Sequence, residues 1–203
     1  RGLTVFYTYY INEICSDETV QPANDAGWDD GGVYRTMHTH TWNAEQIHVG
    51  DFWNCCYTGI LLCNRAIEQL NEEKMPLAAS ENKESLIAET RTLRAYYYWL
   101  VMDTFGDAPL VTTSSSEMPS KTLRADLYDF VVKELKESMS HLPKQKSIDN
   151  YGRFTVWGAK ALLANVYLNA EVYTGTPQWE PCITECNDII QSGQYQMEAD
   201  YRS

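Results

Sequence analysis

Apolar residues recur every three or four positions along most of this chain, and polar stretches rich in Gly and Pro separate the runs. Leu3, Phe6, Tyr7, Tyr10, Ile11 and Ile14 predict a helix over residues 1–15. Residues 16–42, with Pro22, Gly27, Gly31 and Gly32, break the spacing and read as one long loop inserted between the first two helices. Residues 43–71 resume it, with Ile47, Phe52, Cys56, Ile60, Cys63, Ile67 and Leu70 on one stripe. Ser80 reads as the N-cap of a third helix that runs to Phe105, with Leu86, Thr90, Leu93, Tyr97 and Leu100 facing inward. A fourth spans residues 123–141, with Leu127, Phe130, Val131, Leu135 and Met139 inside. A fifth, over 155–173, is rich in Gly and Ala, and a sixth starts at Thr176-Pro177 and ends before Gly193.

Tyr96, Tyr97, Tyr98 and Trp99 stand in a row in the third helix. At about 100° per residue they point in four directions, so that helix must meet protein on more than one side. A layered array of helices provides this, and a helix on the outside of a bundle does not. Ala88 and Ala95 are small enough to admit a neighbour closely, and Gly106 with Pro109 stops the helix. Arg91 and Arg94 are expected to pair with acids of adjacent helices, Glu89 being one candidate. Asp103 and Asp107 are expected as caps and turn formers. The segment "GAKALLANVYLNA" (158–170), preceded by "YDFVVKELKESMSHLP", has the arrangement of a tetratricopeptide-type helix pair. The fold class that follows is all-α, mainly helical: antiparallel helix pairs of tetratricopeptide-like type stacked as an α-α superhelix, with long irregular loops. Residues 1–203 are read as one such domain.

The net charge of −12 disfavours nucleic acid and anionic lipid as partners, because both need clustered Lys and Arg. No apolar run approaches the roughly 20 residues that span a bilayer. Aromatic residues make up 12% of the chain, a composition suited to neutral polar ligands such as carbohydrates. The six cysteines form no CxxC pair or zinc-type array and read as small buried thiols. The pair His38 and His40 lacks a third soft ligand at zinc spacing, so no metal and no cofactor is expected. No nucleophile elbow, P-loop or metalloprotease motif occurs, and two carboxylates acting as a glycoside hydrolase are the weakest of the readings weighed.

Three stretches follow one another in a specific order: "TLRAYYYWLVMDTFGDAPL" (92–110), "GRFTVWGAKALLANVYLNAEVY" (152–173) and "CNDIIQSGQYQMEADYRS" (186–203). With "DFWNCCYTGILLCNRAIEQL" (51–70) and the loop "DETVQPANDAGWDDGGVYRTMHTHTW" (17–42), they resemble the SusD/RagB-like proteins over nearly the whole chain. The resemblance implies cell-surface lipoproteins of the Bacteroidetes outer membrane that bind glycans, or in some members peptides. It also implies a lid on a SusC-like TonB-dependent transporter, a mainly helical tetratricopeptide-like fold and no catalysis. Full members are about twice this length or more, so a lipidated N-terminal Cys and a C-terminal half are expected outside these residues. The implied function is therefore binding of an oligosaccharide and its delivery to the transporter. A peptide-binding member of the same family, or a protein–protein scaffold, is the alternative.

The expected ligand surface is the long loop. Trp28, Tyr34 and Trp42 offer flat rings there, and Asp30 and Asn43 offer hydrogen bonds to hydroxyls. Covering about 100 Å² of such a ring is worth roughly 2–3 kcal/mol before entropy costs. The Tyr96–Trp99 run is expected to pack instead, because Leu93 and Leu100 flank it mid-helix.

Overall fold

The structure, a computed structural model, describes residues 5–22, 31–115, 119–145 and 147–197. It is helical, as the spacing predicts, with one two-residue ladder pairing β1 (Ala108–Pro109) to β2 (Lys121–Thr122) in antiparallel register. The helices are α1 (Val33–His38), α2 (Ile47–Asn71), α3 (Lys83–Phe105), α4 (Arg124–Ser138), α5 (Val156–Leu168), α6 (Ala170–Thr174) and α7 (Trp179–Gln191). A π-helix, Val5–Glu13, precedes them. The chain divides into two compact units, Arg1–Thr58 and Gly59–Ser203, and α2 contributes to both.

The first unit departs from the expected pattern twice. The N-terminal helix is wound as a π-helix, whose last turn continues as Ile14 N donating to Tyr9 O at 3.0 Å. Over only nine residues the difference between a 3.6 and a wider repeat is too small for apolar spacing to reveal. The loop 16–42 is also partly helical, because Val33, Tyr34 and Met37 carry a short 3–4 stripe of their own. Tyr34 and Met37 join Ile14 in a small core, with Tyr9, Tyr10, Ile11, Cys15 and Val33 packed around it.

In the second unit α3 lies against α4, and α5 against α7, giving two antiparallel pairs. The N-cap of α3 is Asn82 rather than Ser80: its side chain accepts from Ser85 N at 2.8 Å, while Ala78 and Glu81 close a turn just before it. The inward face is also rotated from the expected one. Leu100 is buried as expected, but Ala88, Thr92, Ala95, Tyr98, Val101 and Met102 make up the rest of the buried face, and Leu93 is 36% exposed. Charged Arg94 sits inside because a buried carboxylate receives it, so apolar spacing alone misplaces the stripe. Leu127, Val131 and Leu135 of α4 supply the opposing face.

The four consecutive rings do separate. Tyr97 covers Gly59 of α2. Tyr98 packs edge-on against Phe130 of α4, with ring centroids 5.3 Å apart. Trp99 faces Tyr173 of α6, and Tyr96 lies beside Trp99 at 5.8 Å. Helix α3 ends at Gly106, whose φ of 76° and ψ of −119° lie in a region open mainly to glycine. The guanidinium of Arg124 then caps the exposed carbonyls, donating to Met102 O at 2.8 Å and Asp103 O at 3.2 Å. Asp107 caps the next helix by accepting from Arg124 N at 2.9 Å.

The expected fifth helix is broken. Asn169 stands between α5 and α6 with φ −99° and ψ 10°, and Asn competes poorly for a helix interior. The sixth begins at Trp179, because Thr174 and Thr176 hydrogen-bond each other beyond the left-handed Gly175 and keep Thr176-Pro177 outside it.

Candidate functional site

In the first unit α1 ends in a Schellman motif. Thr41 N donates to Thr36 O at 2.9 Å, and His40 N donates to Met37 O at 3.1 Å. His40 occupies the left-handed position usually given to glycine, with φ 54°. A non-glycine there costs about 1–2 kcal/mol. The turn sends His38 inward, where Nδ1 lies 3.3 Å from Ile14 O, and His40 outward against Trp42 with ring centroids 5.4 Å apart. The two imidazoles therefore serve different neighbours. Among the described residues no three His, Cys, Asp or Glu side chains gather as metal ligands.

Trp42 follows this turn and is 40% exposed. Asn43 comes next and folds the chain toward α2, its Oδ1 accepting from Glu45 N at 2.9 Å. The Schellman turn and the Asn turn thus fix the backbone on both sides of the Trp42 ring. Gln46 ties the segment back to α1 by donating to Val33 O at 3.0 Å.

Tyr34 has a different setting. It is 8% exposed and belongs to three parallel rings: Tyr10 and His48 lie 3.9 Å apart at 3°, with Tyr34 5.5 Å from Tyr10 and 5.4 Å from His48. Burial lowers the His48 pKa, opposed by the nearby Asp51 carboxylate, and a neutral imidazole suits a stacked pair. The structure therefore brings Trp42 and Asn43 together at the surface and turns Tyr34 inward. Trp28 and Asp30 lie outside the described residues. The ring pile was missed from sequence, although Tyr34 at the head of a short 3–4 stripe was its signal.

The second unit holds a charged cluster that is structural. Arg94 is 6% and Glu134 4% exposed, and both Nε and Nη2 of Arg94 donate to Glu134 Oε2, at 3.0 and 2.6 Å. Arg91 donates to Glu134 Oε1 and to Glu137, as expected for arginines facing a neighbouring helix. Glu89 takes Arg153 instead of either of them. Arg94 Nη1 also donates to Asn64 Oδ1 at 2.8 Å, and the Asn64 amide donates to the carbonyls of Val111 and Thr113, both at 3.0 Å. Tyr98 Oη donates to Val111 O and accepts from Val111 N, and Glu68 receives Ser114. The cluster clasps the loop after β1 to α2 and α3, with its charges answered internally. Two buried thiols are inert: burial pushes Cys56 up to about 12, and Cys63 to about 11 despite Arg94 nearby.

Paired antiparallel helices and a loop clasped to them define a helical-repeat scaffold. The chain belongs to the SusD-like family, described as starch-binding and associating with the outer membrane, whose model matches residues 8–168. Over 107 residues, 52% of this chain, it is 33% identical to the starch-binding protein SusD of Bacteroides thetaiotaomicron, of which that match covers 19%. A crystal structure of a SusD homologue from the same species superimposes on 98% of the chain with a TM-score of 0.80 and 22% identity, using 40% of the homologue. The surface glycan-binding protein A of Bacteroides thetaiotaomicron, solved with laminarihexaose, matches 90% of the chain with a TM-score of 0.70 and 23% identity, over 36% of its own length. The chain thus spans less than half of each of these relatives. No helix among the described residues is long and apolar enough to cross a membrane.

Proposed function

We propose that this chain is the helical part of a surface protein that captures an oligosaccharide without chemistry and delivers it to a partner TonB-dependent outer-membrane transporter. A lipid anchor outside these residues would hold the protein on the cell surface. The observation that carries the reading is Trp42, half-exposed on a turn braced from both sides, with Asn43 beside it. A flat ring held in place offers a sugar its apolar face at little entropic cost, and the Asn43 amide orients hydroxyls. Membership in a family described as starch-binding, and the likeness to a protein solved with laminarihexaose, support a glycan as the ligand. Trp28 and Asp30, outside the described residues, are proposed as ligand contacts from their chemistry alone.

The test is calorimetry of the full-length protein against a panel of neutral oligosaccharides, together with co-purification of the transporter. Binding of at least one glycan, weakened by Trp42→Ala, is expected. Hydrolysis of a bound glycan, or binding of peptides alone, would replace this reading.

A further inference from the structure

A second concave surface lies wholly within the second unit, between α4, α5 and the first turns of α7. It is an open groove of about 550 Å³, within the range of small-molecule clefts. Its floor is made by Tyr128 and Tyr167, which are 7% and 4% exposed. Neither hydroxyl has a hydrogen-bond partner among the described residues. The rings are buried while the hydroxyls open onto the groove, where they are free to donate to a ligand. Burial pushes Tyr128 up to about 12, so it stays protonated and able to donate.

Lys136 stands two turns along α4 from Tyr128, on the same face, with Nζ 5.6 Å from the Tyr167 ring centroid. It forms no ion pair among the described residues. The contrast is with Lys160, which Glu185 and Asp188 hold at 2.6 and 2.8 Å. The opposite wall carries Gln178, Glu180, Thr184 and Glu185, the last already engaged by Lys160. One side of the groove therefore offers three donors and a positive charge, and the other an amide and a carboxylate. A bare anion would engage only the Lys136 side of the groove, and a neutral sugar would make no use of its charge. A molecule with a carboxylate at one end and hydroxyls at the other answers both.

We propose that this groove binds a carboxylate-bearing sugar, its carboxylate held by Lys136 and the Tyr128 and Tyr167 hydroxyls and its ring hydroxyls by Gln178 and Glu180. The site is independent of the Trp42 surface. It is tested by titrating the full 203-residue chain with glucuronate, glucose and acetate, followed by calorimetry and by NMR of the tyrosine rings. Glucuronate should bind about tenfold more tightly than either of the others, the size of one charge-assisted hydrogen bond. Lys136→Gln should weaken glucuronate by about tenfold, and the double variant Tyr128→Phe/Tyr167→Phe should do so with the rings and the melting temperature kept. Trp42→Ala should leave glucuronate binding unchanged, so the two surfaces fail or stand separately. No binding of glucuronate, equal binding of glucose or acetate, or an affinity indifferent to Lys136→Gln would overturn the proposal.

Discussion

The ring of Tyr97 lies directly on the bare Cα of Gly59, so close that a methyl group there would clash with the ring carbons. Two helices meet at that point because one of them has no side chain. In an exposed helix Gly→Ala gains about 1 kcal/mol from propensity. Here overpacking, typically about 1–3 kcal/mol, opposes the gain, and a rigid ring yields poorly. Gly59→Ala is therefore expected to lower the melting temperature. Adding Tyr97→Leu should restore part of the loss, because the shorter side chain leaves room. A melting temperature raised by Gly59→Ala alone would mean that the ring swings away freely.

The bond between Arg94 and Glu134 carries a second expectation. Both side chains are buried, and removing one partner leaves an uncompensated charge, which costs about 3–5 kcal/mol. Arg94→Met also strips Asn64 Oδ1 of its donor, which loosens the hold on the loop carbonyls of Val111 and Thr113. Urea unfolding of Arg94→Met, Glu134→Gln and the double variant should give non-additive losses, with a coupling of about 0.5–3 kcal/mol. Simple additivity would show that Glu134 matters chiefly through Arg91.

The stacked His48 makes the first unit sensitive to acid. Its folded pKa is lowered, so the unfolded chain binds the proton more readily. The stabilising contribution is present above the unfolded value of about 6.5 and is lost as pH falls through it toward the lower folded value. The protection factors of amides in residues 31–58, taken relative to the intrinsic exchange rate at each pH, should therefore fall as the pH drops from 7 to 5, over roughly the range of that titration. His48→Gln should flatten this dependence. An exchange profile unchanged by the substitution would assign the acid response to other groups.

These expectations rest unequally on sequence. The helices themselves were legible because α2 and α4 hold apolar stripes over many turns; in α2, Phe52, Cys56, Ile60, Cys63 and Leu70 are buried as spaced, while Ile47 at its start is exposed. The inward face of α3 was not, because Arg94 occupies a core position and Leu93 does not. Hydrophobicity cannot signal a buried arginine whose carboxylate lies 40 residues away. At the candidate surface, chemistry alone grouped Tyr34 with Trp42. What separates them is the Schellman turn at His40, which depends on a left-handed histidine that no propensity favours.

That separation predicts opposite phenotypes for two tyrosine- and tryptophan-to-alanine changes made eight residues apart. Tyr34 is part of a core with Ile14 and Met37, and its loss should cost about 3–5 kcal/mol, as for other buried aromatics. Trp42 lies against His40 and is 40% exposed, so Trp42→Ala should lower the melting temperature far less than Tyr34→Ala. If Trp42 is the sugar platform, the same change should weaken glycan binding about tenfold, equivalent to about 1.4 kcal/mol. Calorimetry and thermal unfolding of both variants test the pair together. Full glycan affinity in Trp42→Ala would remove that ring from the site, and an unaltered melting temperature in Tyr34→Ala would dissolve the ring pile as a structural element.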